Sequence, residues 1–182
     1  ACLSGDLKRP GAYEVPRGTS LRELVEGLGG GPLQGKTIEA VQVGGSSGAY
    51  LPASKLDLPL EDTALAPEGA HVGVGAVMAI SERVCLYDLA RRESAFFARE
   101  AAEDCIGCQK LGSLAKAVEE LGVDPSRAEQ VAALAREIQE TSRCHLGRRA
   151  VTPVASLLRH FPASARVHAE GGCGCSPRKK PR

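Results

Sequence analysis

The chain has 182 residues, 43% of them hydrophobic and 25% charged, with a formal net charge of +1. That balance fits a globular domain and excludes a disordered chain, and it gives no reason to invoke nucleic acid or a membrane surface as a partner. No apolar run approaches the length of a bilayer span and no signal peptide is legible, so no direct membrane insertion is expected.

In chain order, Gly11 to Val15 reads as a strand following the turn at Arg9-Pro10-Gly11. Ser20 followed three residues later by Glu23 is a capping box, and Leu21, Leu24, Val25 and Leu28 give the helix behind it one apolar stripe. Gly29, Gly30 and Gly31 close that helix. Ile38 to Val43 alternates like a strand, Gly44 to Gly48 turns, Ala49-Tyr50-Leu51 resumes, and Val72 to Ile80 is the last apolar run. These elements predict a β-grasp-like α+β module over residues 1–80.

From Ser81 the periodicity becomes helical. A first helix is predicted from Glu82 to Ala101, and a second carries Leu111, Leu114, Val118 and Leu121 and ends at Gly122. A third opens with Asp124 as N-cap and Pro125 at the first helical position, then places Val131, Leu134 and Ile138 on one face. A fourth opens at Thr152-Pro153, buries Val154, Leu157, Leu158 and Phe161, and stops at Pro162. Short links join them, so residues 81–163 are expected to form a four-helix bundle. Residues 164–182 carry no periodicity and are expected to be a flexible tail with a basic end at Arg178, Lys179, Lys180 and Arg182.

Seven cysteines form an odd and high count for this length, which favours metal or cluster ligation in a reducing compartment over a disulfide framework. Cys105 and Cys108 make a C-x-x-C at the junction of the first two helices, and Cys144 lies in the link between the third and fourth. In an up-down-up-down bundle those two links share one end, so the three thiols can converge. A metal, a redox dithiol and ordinary free thiols remain open on spacing alone. Cys85, inside the expected first helix, reads as a buried structural thiol; Cys2 is terminal; Cys173 and Cys175 read as free thiols of the tail. His145, beside Cys144, is the histidine worth naming as a further ligand, while His71, His160 and His168 have no partner in sequence.

At these residues the chain resembles the C-terminal part of the NADH-binding flavoprotein subunit of respiratory complex I, a family shared with subunits of NAD-linked hydrogenases and formate dehydrogenases. The resemblance rests on Gly5 to Pro16, Gly18 to Leu24, Gly44-Gly45-Ser46-Ser47, Gly73 and Gly75, Asp88 to Arg92, Phe97, Glu100 and Leu158-Arg159-His160-Phe161. It implies a soluble-ligand-binding β-grasp (SLBB) module followed by an iron–sulfur bundle. It also implies an electron-transfer role, a [4Fe–4S] or [3Fe–4S] cluster on Cys105, Cys108 and Cys144, and other oxidoreductase subunits as partners. FMN and NADH are then expected on an adjacent domain or chain, because no glycine-rich nucleotide loop occurs here. The family's loop reads C-x-x-C-x-x-C, and its first cysteine falls on Ala102. Glu103, Asp104 or His145 is then expected to stand in as fourth ligand, with a zinc-filled site or a decayed, purely scaffolding module as the rival readings. The implied location is cytoplasmic, peripheral to the inner membrane through partner subunits. The start at Ala1, with Met78 the single methionine, suits either removal of an initiator methionine or a segment of a longer polypeptide.

Overall fold

Five strands join into one sheet in the order β2-β1-β5-β3-β4: β1 (Cys2–Gly5), β2 (Gly11–Ala12), β3 (Ile38–Val43), β4 (Ala49–Pro52) and β5 (Ala76–Ser81). The structure, a computed structural model, describes residues 1–101 and 105–173. β1 and β5 run parallel at the centre, and the β1–β2, β3–β4 and β3–β5 pairs are antiparallel. Among the described residues this is the expected mixed α+β fold with a β-grasp-like sheet order.

Side-chain alternation gives β3 two loyalties. Val41 and Val43 face a core built with Leu3, Leu51 and Val77 from the sheet and Leu21, Leu24 and Val25 from the crossing helical turn Glu23–Leu28. Ala40 points the other way and, with Tyr50 and Ile80, enters the core of the helical half. One sheet therefore serves two cores, the strand periodicity assigning each residue to a face. The capping box expected at Ser20 is present in one of its two bonds: Glu23 N–H donates to Ser20 Oγ at 3.1 Å.

The helical half comprises α2 (Leu86–Arg99), α3 (Ile106–Gln109), α4 (Leu111–Leu121), α5 (Ala128–Thr141), α6 (His145–Ala150), α7 (Thr152–His160) and α8 (Ser164–Ala169), numbered after the single turn α1 (Asp62–Leu65) in the sheet module. The long helices α2, α4, α5 and α7 pack in a closed ring, α2 against α4 and α7, and α5 against α4 and α7. The stripe Leu111, Leu114, Val118 and Leu121 is buried as its spacing predicts. Asp124 accepts from Ser126 N–H at 3.1 Å, but the turn it caps, Pro125–Arg127, is 3-10, and α5 begins at Ala128.

Two expectations fail. Residues 164–169 form a helix, not a tail: Ala165 is buried and the His168 ring lies against Tyr87, with centroids 4.5 Å apart. Six residues are too few to display a period, so the sequence hid it. Cys85 is the N-cap of α2 and only half-buried, because the first helix starts at Leu86 and not at Glu82. Residues 174–182, including Cys175 and the basic end, lie outside the described residues.

The sheet docks on the bundle through α7 and α2. Tyr50 N–H donates to Ser156 Oγ at 2.8 Å, Arg159 donates to the Pro67 carbonyl at 2.8 Å, and His160 Nε2 lies 3.0 Å from the Glu68 carbonyl. Beneath them Glu93 of α2 takes a hydrogen bond from the Tyr50 hydroxyl and one from Gln42 Nε2 at 2.9 Å. Burial pushes the Glu93 carboxyl up to about 7, against the lowering effect of those two donors.

Candidate metal centre

Cys105, itself in extended backbone, caps α3, whose single turn brings Cys108 round to the same side. Cys144, again extended, caps α6 and accepts the Gly147 N–H on its sulfur at 3.2 Å. Because α3 and α6 both pack on α5 and on each other, the two turns meet at one end of the bundle. All three sulfurs lie within 4.8 Å of one another, with Cys108 and Cys144 3.1 Å apart and not joined by a disulfide. The topological argument from link positions thus holds in space.

The surroundings favour the thiolate of Cys105. Backbone N–H groups of Cys144, Cys108 and Arg143 are directed at Cys105 and draw its thiol down to about 6. Cys105 and Cys108 are buried and Cys144 is half-buried. The exposed neighbour Ile106 shows how thin the cover is. Three soft donors with no oxygen or nitrogen among them suit iron–sulfur or another thiophilic centre, and not a hard cation.

Three small residues hold this geometry, and little in the chain's local pattern announced them. Ser142 is buried and donates its hydroxyl to the Ile138 carbonyl at 2.6 Å, closing α5. Gly107 and Gly147 press against it from the two turns: a Cβ on either would collide with Ser142 Oγ, and one on Gly147 would also stand 3.1 Å from Cys108 Sγ. Glycine is therefore required by close approach of neighbouring chain, not by φ. The one local signal was Gly147 standing three residues after Cys144, the spacing of an N-cap and its donor.

The proposed fourth ligands fare differently. His145 is exposed and lines a separate cleft with Asp62, His71 and Arg149, so it does not join the three sulfurs. Ala102, Glu103 and Asp104 lie outside the described residues. His160 is engaged with Glu68, and His168 meets Cys85 and Cys173 instead, its Nδ1 standing 3.5 and 3.4 Å from their sulfurs.

Comparison with known proteins agrees with this organisation. Residues 88–168 match the NADH-ubiquinone oxidoreductase-F iron-sulfur binding region, which contains all three cysteines. Residues 1–49 match the SLBB domain. The chain carries an SLBB domain and an iron–sulfur binding region of the NADH-ubiquinone oxidoreductase-F type. A curated NADH-quinone oxidoreductase subunit of Rhizobium meliloti is 34% identical over 173 residues, covering 93% of this chain and 41% of that protein. NADP-reducing hydrogenase subunit HndC of Solidesulfovibrio fructosivorans is 28% identical over 172 residues, 92% of this chain and 35% of the relative. The crystal structure of an NAD+-reducing [NiFe]-hydrogenase in the H2-reduced state superposes with a TM-score of 0.78 at 29% identity, over 98% of this chain and 29% of that one. The chain thus spans about two fifths of the length of curated relatives such as the Rhizobium protein, and corresponds to their C-terminal part. Among the described residues no helix is long and apolar enough to cross a membrane.

Proposed function

We propose that this chain relays single electrons through one iron–sulfur cluster held by Cys105, Cys108 and Cys144, as part of an NADH-oxidising or hydrogenase-type complex. The observation that carries the reading is the convergence of three sulfurs within 4.8 Å at one pole of the bundle, inside the stretch that matches an iron–sulfur binding region. When bound, such a cluster supplies one-electron redox chemistry. The chain's own residues do the rest. The α3 and α6 turns aim the sulfurs, and backbone N–H groups favour the ionised form of Cys105. The packed trio Gly107, Ser142 and Gly147 holds the two turns at a fixed separation.

Flavin and nicotinamide belong in this reading to an adjacent domain or chain, and the other subunits of the complex are the partners, on the cytoplasmic side. The SLBB module, tied to the bundle through Tyr50, buttresses that assembly. Ala102, standing where the resemblance expects a first cysteine, favours one alternative: a scaffolding module whose cluster site has decayed.

Anaerobic isolation with iron, sulfide and zinc quantitation, followed by EPR, separates the two. Iron and sulfide in the wild-type chain, both abolished in the Cys105→Ser/Cys108→Ser/Cys144→Ser variant, support the relay. Neither element in an anaerobically isolated chain would end it in favour of the scaffold.

A further inference from the structure

A second convergence of ligand atoms involves none of the three sulfurs just described. Cys85, His168 and Cys173 bring Sγ, a ring nitrogen and Sγ within 4.8 Å of one another. His168 Nδ1 is shared, 3.5 Å from Cys85 Sγ and 3.4 Å from Cys173 Sγ. The three come from separate elements: the N-cap of α2, the last turn of α8, and the segment that follows α8. His168 is the final residue of the matched iron–sulfur region, and Cys85 and Cys173 fall outside its ends. The function proposed above makes no use of this group.

The distances suit a tetrahedral cation. Zinc with Zn–S near 2.3 Å and Zn–N near 2.05 Å at tetrahedral angles places sulfur and nitrogen about 3.5 Å apart, which is the spacing found on both sides of Nδ1. A pair of S–H···N hydrogen bonds explains the arrangement less well, because one ring nitrogen offers a single in-plane lone pair and two sulfurs claim it. Two thiols and one imidazole are soft and borderline donors that zinc takes, and three protein ligands leave the fourth tetrahedral position to a water molecule.

The surroundings prepare each donor. Cys85 Sγ accepts the Asp88 N–H at 3.4 Å and is held in place as the N-cap of a 14-residue helix. The His168 ring is steadied by Tyr87, inclined at 43° to it. Tyr87 is itself pinned, its hydroxyl donating to the Val118 carbonyl at 2.6 Å. Such outer-shell support fixes a ligating imidazole. The site opens on a cleft of ≈ 390 Å³ walled by Val84, Leu86, Phe161 and Val167, which gives an ion a way in.

We infer that Cys85, His168 and Cys173 form a zinc-binding clamp that fastens α8 and the segment after it to the start of α2, independently of the iron–sulfur ligands. Its role is structural, since it joins chain positions 85 and 173 across the whole bundle.

The test uses the full chain with Cys105, Cys108 and Cys144 replaced by serine, so that any metal retained belongs to the second site. About one zinc per chain by elemental analysis is expected, with a thiolate charge-transfer band on Co²⁺ substitution. The further change Cys173→Ser should lower zinc at least about tenfold, and His168→Ala should do the same, while circular dichroism stays that of a folded bundle. Limited proteolysis read by mass spectrometry should then cut near residue 164 faster in both variants. Three outcomes overturn the clamp: no zinc in the folded serine variant, zinc unchanged by Cys173→Ser, or a Cys85–Cys173 disulfide in protein isolated under reducing conditions. None of these bears on whether the other three cysteines hold iron.

Discussion

Gly107 and Ser142 touch so closely that a methyl group on the glycine would overlap the serine hydroxyl and stand 2.8 Å from the Ile138 carbonyl oxygen. The obstacle is backbone at the end of α5, which cannot step aside as a flexible side chain would. Gly107→Ala should therefore force α3 away from α5, costing about 1–3 kcal/mol and separating Cys108 from Cys144. Urea denaturation and iron content read the two effects together. Gly112→Ala is the control: nothing lies within 4 Å of a Cβ there, and an exposed helical position should gain up to about 1 kcal/mol. Equal stability changes at the two glycines would remove the packing argument.

Glu93 predicts a pH dependence of defined sign. Its carboxyl is pushed up to about 7 by burial between Tyr50 and Gln42, whereas the unfolded chain carries an ordinary glutamate near 4.5. Between those values the folded state holds a proton that the unfolded state has lost. Stability should therefore fall as pH rises from about 4.5 to 7, by roughly 3 kcal/mol at most, and level off above. Asp6, lowered first by its hydrogen bond with Lys36, acts oppositely: its contribution is present above the unfolded value and is lost as pH falls through the folded one. In Glu93→Gln the decline between pH 4.5 and 7 should vanish from chemical-denaturation curves. A slope equal to wild type would place the titrating group elsewhere.

Much of the architecture could be read from the chain because its patterns were long. β3 at Ile38–Val43 and the α4 stripe from Leu111 to Leu121 offer enough repeats for a period to show. The meeting of Cys105, Cys108 and Cys144 followed from helix order alone. What stayed hidden was short or distant. β1 buries one side chain, Leu3, among four residues, too little for alternation to register. α6 and α8 span six residues each. The role of Gly107 depends on Ser142 arriving from the end of another helix, and that of Cys85 on His168 and Cys173, contacts that no local window contains.

The Tyr50 N–H is fully buried and donates to Ser156 Oγ at 2.8 Å. Ser156→Ala leaves that donor without its acceptor at the junction of sheet and bundle, where water does not reach. The expected loss is about 1–3 kcal/mol, larger than for truncating an exposed ion pair such as Arg22 with Asp57, whose charges solvent screens. Amide exchange at Tyr50 should quicken in Ser156→Ala while Val118, inside α4, keeps its protection. Uniform quickening at both would mean global destabilisation and no special hinge at this bond.

Ala102 occupies the position where the resemblance expects one more thiolate for the proposed cluster. It stands three residues before Cys105, as Cys105 stands three before Cys108, so Ala102→Cys completes the C-x-x-C-x-x-C of the resemblance. Three thiolates suffice for a three-iron cluster, and a fourth supplies the ligand that a [4Fe–4S] core requires. The iron content should rise from about three to about four per chain, and the EPR signal should move from the oxidised to the dithionite-reduced protein. An added thiolate also brings one more negative charge against the core, so the midpoint potential should become more negative. An unchanged spectrum and iron ratio in Ala102→Cys would show that residue 102 does not face the three sulfurs, and that the fourth ligand comes from elsewhere.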